Sequence, residues 1–179
     1  MKKTTKRELT AYLDQRSKMQ LCDDIADLFA KFPVVQDYYQ ARINPVDEAQ
    51  LVEKYKAEIE KEFFPQRGFG KARRSVARKA ISDYKKVSGD PAGLADLMLF
   101  FVEAGVRFTN EYGDMDEPFY NSLESMFYKA LQHIFKHGLP DHFEDRCRSI
   151  VYHSAHTGWG FHDTLSGILY DFYHNNVEQ

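Results

Sequence analysis

Apolar side chains recur at intervals of three and four residues along almost the whole chain. Two clear examples are Leu21, Ile25, Leu28 and Phe32 in one segment and Leu51, Tyr55, Ile59 and Phe63 in another. This spacing places the apolar side chains along one side of an α-helix, whereas a half-buried strand would alternate every second residue. No convincing run of alternation occurs. The pattern therefore predicts an all-α protein.

Residues that begin and end helices divide this pattern into about nine segments. Thr5 with Glu8 and Ser17 with Gln20 have the spacing of a capping box. Proline favours the first helical turn and glycine the position after the last one. The remaining predicted boundaries are Pro33, Asn44-Pro45, Pro91, Gly113, Asp116 with Pro118, Gly138 and Pro140. One further helix is predicted from about Lys71 to Val87, with Val76, Ala77, Ala80, Ile81 and Tyr84 facing inward.

Nine helices joined by short connections fit two architectures, a multi-helical bundle or a short α-solenoid-like stack of helical hairpins. No fixed-period repeat decides between them. We expect one domain over residues 1–179, and the loop at residues 65–70 is the weakest point if a separate N-terminal lobe exists.

Composition narrows the class of protein. The chain has 179 residues, 43% of them hydrophobic, a formal net charge of −3 and two cysteines. It is long enough to bury a core without disulfides or structural metal, and the charge argues against a general nucleic-acid binder. We find no signal peptide and no apolar stretch long enough for a membrane span. The expected location is the cytoplasm.

Histidines and carboxylates near the C-terminus suggest a metal site. His153 and His156 are three residues apart on a predicted helix, and imidazole nitrogen is a common metal ligand. His162 and Asp163 are further candidate ligands, and Asp114 and Asp116 of the acidic turn at residues 111–118 would join them if the two turns met in space. The alternative interpretation is that these side chains cap helices, with His162-Asp163 at the start of the last one. No cofactor is predicted, although a divalent metal fits this cluster.

A basic helix at residues 71–86 suggests a second kind of site. Lys71, Arg74, Arg78 and Lys79 fall on one side of it and could meet phosphate or an acidic protein. The alternative is internal pairing with the acidic stretch that follows. Trp159 and Phe161, in the glycine-bracketed turn Gly158-Trp159-Gly160, are candidate contacts for a partner. No nucleophile motif and no dinucleotide fingerprint is present.

Five blocks of the sequence resemble a bacterial family catalogued as a domain of unknown function. The resemblance extends from about Leu9 to Tyr173, and the blocks are Glu60–Pro65, Ser75–Ile81, Phe108–Asp114, Glu117–Ser122 and Gly158–Asp163. It implies a small, stand-alone cytoplasmic protein and carries no activity.

The sequence favours a non-enzymatic helical scaffold that presents a groove to another protein or to its own copy. The alternatives are a metal-binding protein or metal-dependent enzyme that uses the 153–163 cluster, and nucleic-acid binding through the helix at 71–86. A nucleic-acid partner is not expected, given the net charge, and neither is a membrane.

Overall fold

The structure, a computed structural model, describes residues 4–43 and 48–175. These residues form helices and no strands, which confirms the all-α prediction. The helices are α1 (Lys6–Leu13), α2 (Lys18–Lys31), α3 (Pro33–Ile43), α4 (Glu48–Phe63), α5 (Arg74–Val87), α6 (Pro91–Tyr112), α7 (Glu117–Lys136), α8 (Pro140–His153) and α9 (Phe161–Asn175). No helix in the described ranges has the length and apolar character that crossing a membrane requires.

Most of the predicted helix boundaries are confirmed. Both capping boxes form, with Thr5 and Ser17 accepting from the backbone N–H three residues on. Pro33 begins α3, and Asp116 caps α7. The predicted boundary at Asn44-Pro45 lies outside the described residues.

The start of α5 differs from the prediction. The helix begins at Arg74 and not at Lys71. The backbone at Ala72 is not helical, because it has φ +43° and its N–H donates to the Glu62 carbonyl at 2.8 Å. Lys71 therefore lies in a loop. The prediction that Val76 faces inward is also wrong, since its side chain is exposed, whereas Ala77 and the other predicted inward residues are buried.

Helix α6 is the centre of the fold. It is 22 residues long, is capped by Asp90 and buries side chains on nearly every side. Gly105 permits close packing, because a Cβ there would collide with the Leu123 side chain of α7. Such a helix must be surrounded by others, and α4, α5, α7 and α8 all pack against it.

The helices follow the packing order of stacked hairpins. From α2 onward, the principal contacts within the described ranges join each helix to the next one and to the next but one along the chain. Contacts restricted to near neighbours in sequence are typical of α-solenoids. Of the two predicted architectures, the stack of helical hairpins describes this order better.

A single hydrophobic core runs through α4 to α9. Phe63 of α4 packs edge-to-face on Phe101 and Phe108 of α6, with ring centroids 5.8 and 5.9 Å apart. The loop at residues 65–70 therefore joins helices that share one core. Beside it, Arg146 of α8 bridges Asp96 and Glu103 of α6, at 2.5 and 2.6 Å.

The first two helices are packed very differently. Neither α1 nor α2 contains a buried residue. Leu13 and Leu21 are partly buried, but six large apolar side chains in α1, in α2 and directly after α2 are 41–52% exposed, and we call this set the N-terminal apolar face. Its members are Leu9, Tyr12, Ile25, Leu28, Phe29 and Phe32; Met19 is also exposed but lies on the other side of α2.

Candidate functional site at the loop end

Three connections meet at one end of the stack, which we call the loop end: residues 64–73, residues 113–116 and residues 154–160. The Phe69 ring of the first lies 6.1 Å from the ring of Tyr112, just before the second. The N–H of Gly158, in the third, donates to Asp114 Oδ1 at 3.2 Å. Sequence positions more than 40 residues apart are thus adjacent.

Asp114 holds the second and third connections together. Besides the Gly158 N–H, its Oδ1 accepts a hydrogen bond from the buried Tyr120 hydroxyl. That hydroxyl also lies 2.7 Å from Thr109 Oγ1 and accepts from the Met115 N–H. Burial and the Asp114 carboxylate raise the pKa of Tyr120. The phenol therefore stays protonated and keeps donating to Asp114.

This contact determines the shape of the turn at Trp159. A Cβ at position 158 would collide with the Asp114 carboxylate, so glycine is needed there. Trp159 follows with φ +59° and Gly160 with φ +68°. The left-handed region is uncommon for any residue with a side chain and is a genuine outlier for a bulky one. The indole is 62% exposed.

The loop end therefore displays three aromatic rings to solvent. Phe69 is 83% exposed and Tyr112 41%, in addition to Trp159. The two described non-glycine residues with positive φ, Ala72 and Trp159, also lie here. Unusual backbone geometry persists only where the surrounding structure enforces it, and such geometry clusters at functional sites.

The histidines predicted as metal ligands do not converge. His153 ends α8 and its Nδ1 lies 2.8 Å from the Ser149 carbonyl. His162 Nδ1 lies 3.0 Å from the Val151 carbonyl. His156 is exposed in the turn between the two helices. The His153 and His162 rings are thus oriented by two different backbone carbonyls, and the His156 ring by neither of them.

The carboxylates of the predicted metal site have separate roles. Asp116 caps α7 through the Phe119 N–H at 2.9 Å, and Asp163 lies exposed in the first turn of α9. Since α9 begins at Phe161, His162 and Asp163 lie in its first turn, at the predicted start of the last helix but after the N-cap position. Within residues 4–43 and 48–175 no group of three or more His, Cys, Asp or Glu side chains is arranged to hold a metal ion.

The basic residues of the second predicted site point to different neighbours. Arg78 donates to the Ser122 carbonyl at 2.7 Å, and burial lowers the pKa of its guanidinium. Lys79 pairs with Asp83 at 2.6 Å. Arg74 lies 3.9 Å from Asp116, and Lys71 is exposed in the loop before α5. No continuous basic surface follows from this arrangement.

Phe161 is a correction to the predicted binding residues. Its ring is fully buried and packs against Tyr120 at a centroid distance of 5.0 Å. It belongs to the core beneath the Trp159 turn and is not available to a partner. Phe69 and Tyr112 were missed as surface aromatics, because in the sequence they resemble any other core ring.

A groove of about 470 Å3 lies beside the loop end, between α4, α6 and α8. Phe100, Val106 and Ile150 contribute apolar lining, and His153 also lines the groove. Arg107 lies across it, paired with Glu60 through two hydrogen bonds of 2.6 and 3.2 Å. Because these side chains come from three helices, no local sequence motif indicates the groove.

A family model described as a family of unknown function, DUF6155, matches residues 4–173. The chain belongs to the DUF6155 family. The matched range includes the loop end and every residue of the N-terminal apolar face. No curated protein and no solved structure matches the chain.

Proposed function

We propose that this DUF6155 protein is a non-enzymatic scaffold that binds a partner protein through the loop end. The observation that carries the proposal is the exposed Trp159 indole, held outward by a turn that the Asp114–Gly158 hydrogen bond fixes. Tryptophan and tyrosine are enriched among the residues that dominate protein–protein binding energy. An anchor already held in place loses little entropy on binding.

The backbone at Trp159 supports the same proposal. Placing a residue with a Cβ in the left-handed conformation costs roughly 1–2 kcal/mol of stability. A glycine at position 159, like the glycines on either side of it, would avoid that cost. A tryptophan in this conformation lowers stability without contributing a buried side chain. A binding role accounts for its presence, because natural proteins accept such costs at functional sites.

Nucleophilic chemistry at Cys147 finds no support in the structure. Cys147 is fully buried, and burial raises the pKa of its thiol to about 12, so the reactive thiolate does not form at neutral pH. Metal binding by the 153–163 cluster stays a prediction, tested by elemental analysis of the purified protein. Nucleic-acid binding through residues 71–86 also stays a prediction, tested by gel mobility at low salt.

The test uses tagged full-length protein to capture partners from the native extract, followed by direct binding to the captured protein. Trp159→Gly should abolish capture, because it removes the anchor and keeps the turn. Ala72→Gly is the matched control: it relieves the other positive φ at the loop end without removing a ring. Tyr170→Ala removes an exposed ring from α9.

The expected result is a protein retained by the wild type and both controls and lost from Trp159→Gly. The chain has one tryptophan, so a blue shift of its fluorescence on adding the purified partner would report burial of the indole directly. Identical capture by all four proteins, or an unshifted emission spectrum in the complex, would contradict the proposal.

A further inference from the structure

A stack of helical hairpins needs a polar outer side at each end, because an apolar one would lie in water. The last helix, α9, meets this requirement with exposed residues that are mainly polar, among them Asp163, Thr164 and His174. The first helices do not. On one side of α2 the exposed large side chains are Ile25, Leu28 and Phe29, with Phe32 directly after the helix. The N-terminal apolar face is an uncapped end of the stack.

We infer that the N-terminal apolar face is covered by the same face of a second copy, with the two α2 helices antiparallel. Three members of the face, Ile25, Leu28 and Phe32, together with the partly buried Leu21, have the four-three-four spacing of a coiled-coil seam. A surface that pairs with itself about a twofold axis closes after two subunits. Pairing this end with any other surface of a neighbouring copy would instead extend without limit unless it formed a ring.

The available area fits a stable dimer. At about 200 Å2 for a large apolar or aromatic residue, the six residues of the face, each left about half exposed, offer on the order of 600 Å2 per chain. Two copies then offer on the order of 1,200 Å2, at the lower end of the roughly 1,200–2,000 Å2 that specific interfaces bury.

An apolar groove next to the seam can receive the partner's side chains. It has a volume of about 330 Å3 and lies between α2, α3 and α5. Ile25 and Leu28 form one wall, and Val34, Tyr38 and Val87 contribute to the rest. Lys86 also lines the groove, and the shared residues Ile25 and Leu28 make its apolar wall continuous with the seam.

Charges beside the seam are compatible with the antiparallel orientation. If Ile25 meets Leu28 of the second copy, then Leu21 meets Phe32 of the second copy. Asp24 and Lys31 pair within the chain with Arg16 and Asp27, at 3.0 and 2.8 Å. In this alignment Asp24 of each chain lies on the same flank as Lys31 of the other, so the ion pairs of the two copies adjoin with opposite charges facing.

The oligomeric state of the full chain tests the inference. Sedimentation equilibrium should give twice the mass of the chain for the wild type. Leu28→Glu should give a monomer, because it places a charge in the seam. Ala30→Glu introduces the same charge on the opposite, exposed side of α2 and should leave the dimer intact. A wild type that remains monomeric at high micromolar concentration, or equal dissociation by both variants, would overturn the inference.

A disulfide tests the orientation. The antiparallel alignment brings exposed Cys22 of one chain near position 29 of the other, so Phe29→Cys should form a covalent dimer under mild oxidation. Ala30→Cys should not, and Cys147 is buried and cannot contribute. Absence of cross-linking in Phe29→Cys, with the wild type dimeric, would exclude this orientation.

The inference does not depend on the loop end. Trp159→Gly should remain dimeric, and Leu28→Glu should still present Trp159. A failed dimer test therefore leaves the proposed scaffold function standing, and a failed capture test leaves the dimer standing.

Discussion

Helices α2 and α7 have the same local design and opposite surroundings. Ser17 caps α2 and Asp116 caps α7, each by accepting from the N–H three residues on. Both carry apolar side chains at intervals of three and four. Yet α7 buries eight residues, including Phe127, and α2 buries none. Periodicity thus determines which side of a helix is apolar and does not determine what covers it.

Position in the stack accounts for the difference. Helix α7 lies between α6, α8 and α9, whereas the principal contact of α2 is with α3 alone. A helix in the interior of the stack has its apolar side covered by its own chain. At an end of the stack, the outer side of a helix must either be polar or be covered by another molecule. The outer side of α2 is not polar.

Truncation of one phenylalanine in α7 and one in α2 should give the largest difference in the free energy of unfolding. Phe127→Ala should lower the free energy of unfolding by about 3–5 kcal/mol, because it leaves a cavity in a fully buried site. Phe29→Ala, where the ring is 43% exposed, should cost less than about 1 kcal/mol in dilute protein. Denaturant titration measures both. A similar cost for the two would mean that α2 is covered in the monomer.

The second largest difference in stability is expected between an ion-pair cluster in the core, around Arg146, and an ion pair beside α2, formed by Arg16. Arg146 has a raised pKa, because Glu103 and Asp96 outweigh the effect of its burial. Arg146→Met should lower stability by about 2 kcal/mol, since it strands two half-buried carboxylates.

Arg16, paired with Asp24 at 3.0 Å, is the counterpart beside α2. Arg16→Met should cost less than about 1 kcal/mol, as expected for a partly exposed pair. A larger loss for Arg16→Met than for Arg146→Met would contradict the assignment of α6 and α8 to the cooperative core.

Removal of the helix caps separates local from global unfolding. Asp116→Ala should lower global stability by about 1 kcal/mol, because α7 unfolds with the core. Ser17→Ala loses an equivalent hydrogen bond, but α2 has no buried residue that ties it to the core. We therefore expect faster amide hydrogen exchange within α2 and little change in the denaturation midpoint. Equal shifts of the midpoint for both variants would show that α2 unfolds with the rest.

Helix positions were predictable from the sequence, because periodicity and caps are local properties. The capping boxes at Thr5 and Ser17 and the proline at 33 determine where their helices begin, and the structure confirms them. The start of α5 was not predictable, since it depends on the Ala72 N–H reaching a carbonyl of α4.

The candidate site was only partly predictable, because its geometry depends on tertiary contacts. The sequence indicated Trp159 and Asp114 as candidates, yet no pattern shows that Asp114 accepts from Gly158, 44 residues away. Phe161 and Phe69 have similar local signals and opposite exposure. A glycine-bracketed ring is therefore ambiguous until its neighbours in space are known.

The polar side of α7 offers the smallest and most specific test of the comparison. Glu124 is half-buried, and burial raises the pKa of its carboxyl more than the nearby Thr164 side chain of α9 lowers it. The folded protein thus holds this proton more tightly than the unfolded chain, so the carboxyl's contribution to stability falls as pH rises from the unfolded to the folded pKa. Glu124→Gln should be more stable than the wild type at neutral pH, and this advantage should disappear in acid. Denaturation midpoints across pH measure it. Parallel profiles for the two proteins would mean that α9 does not cover α7 at this position.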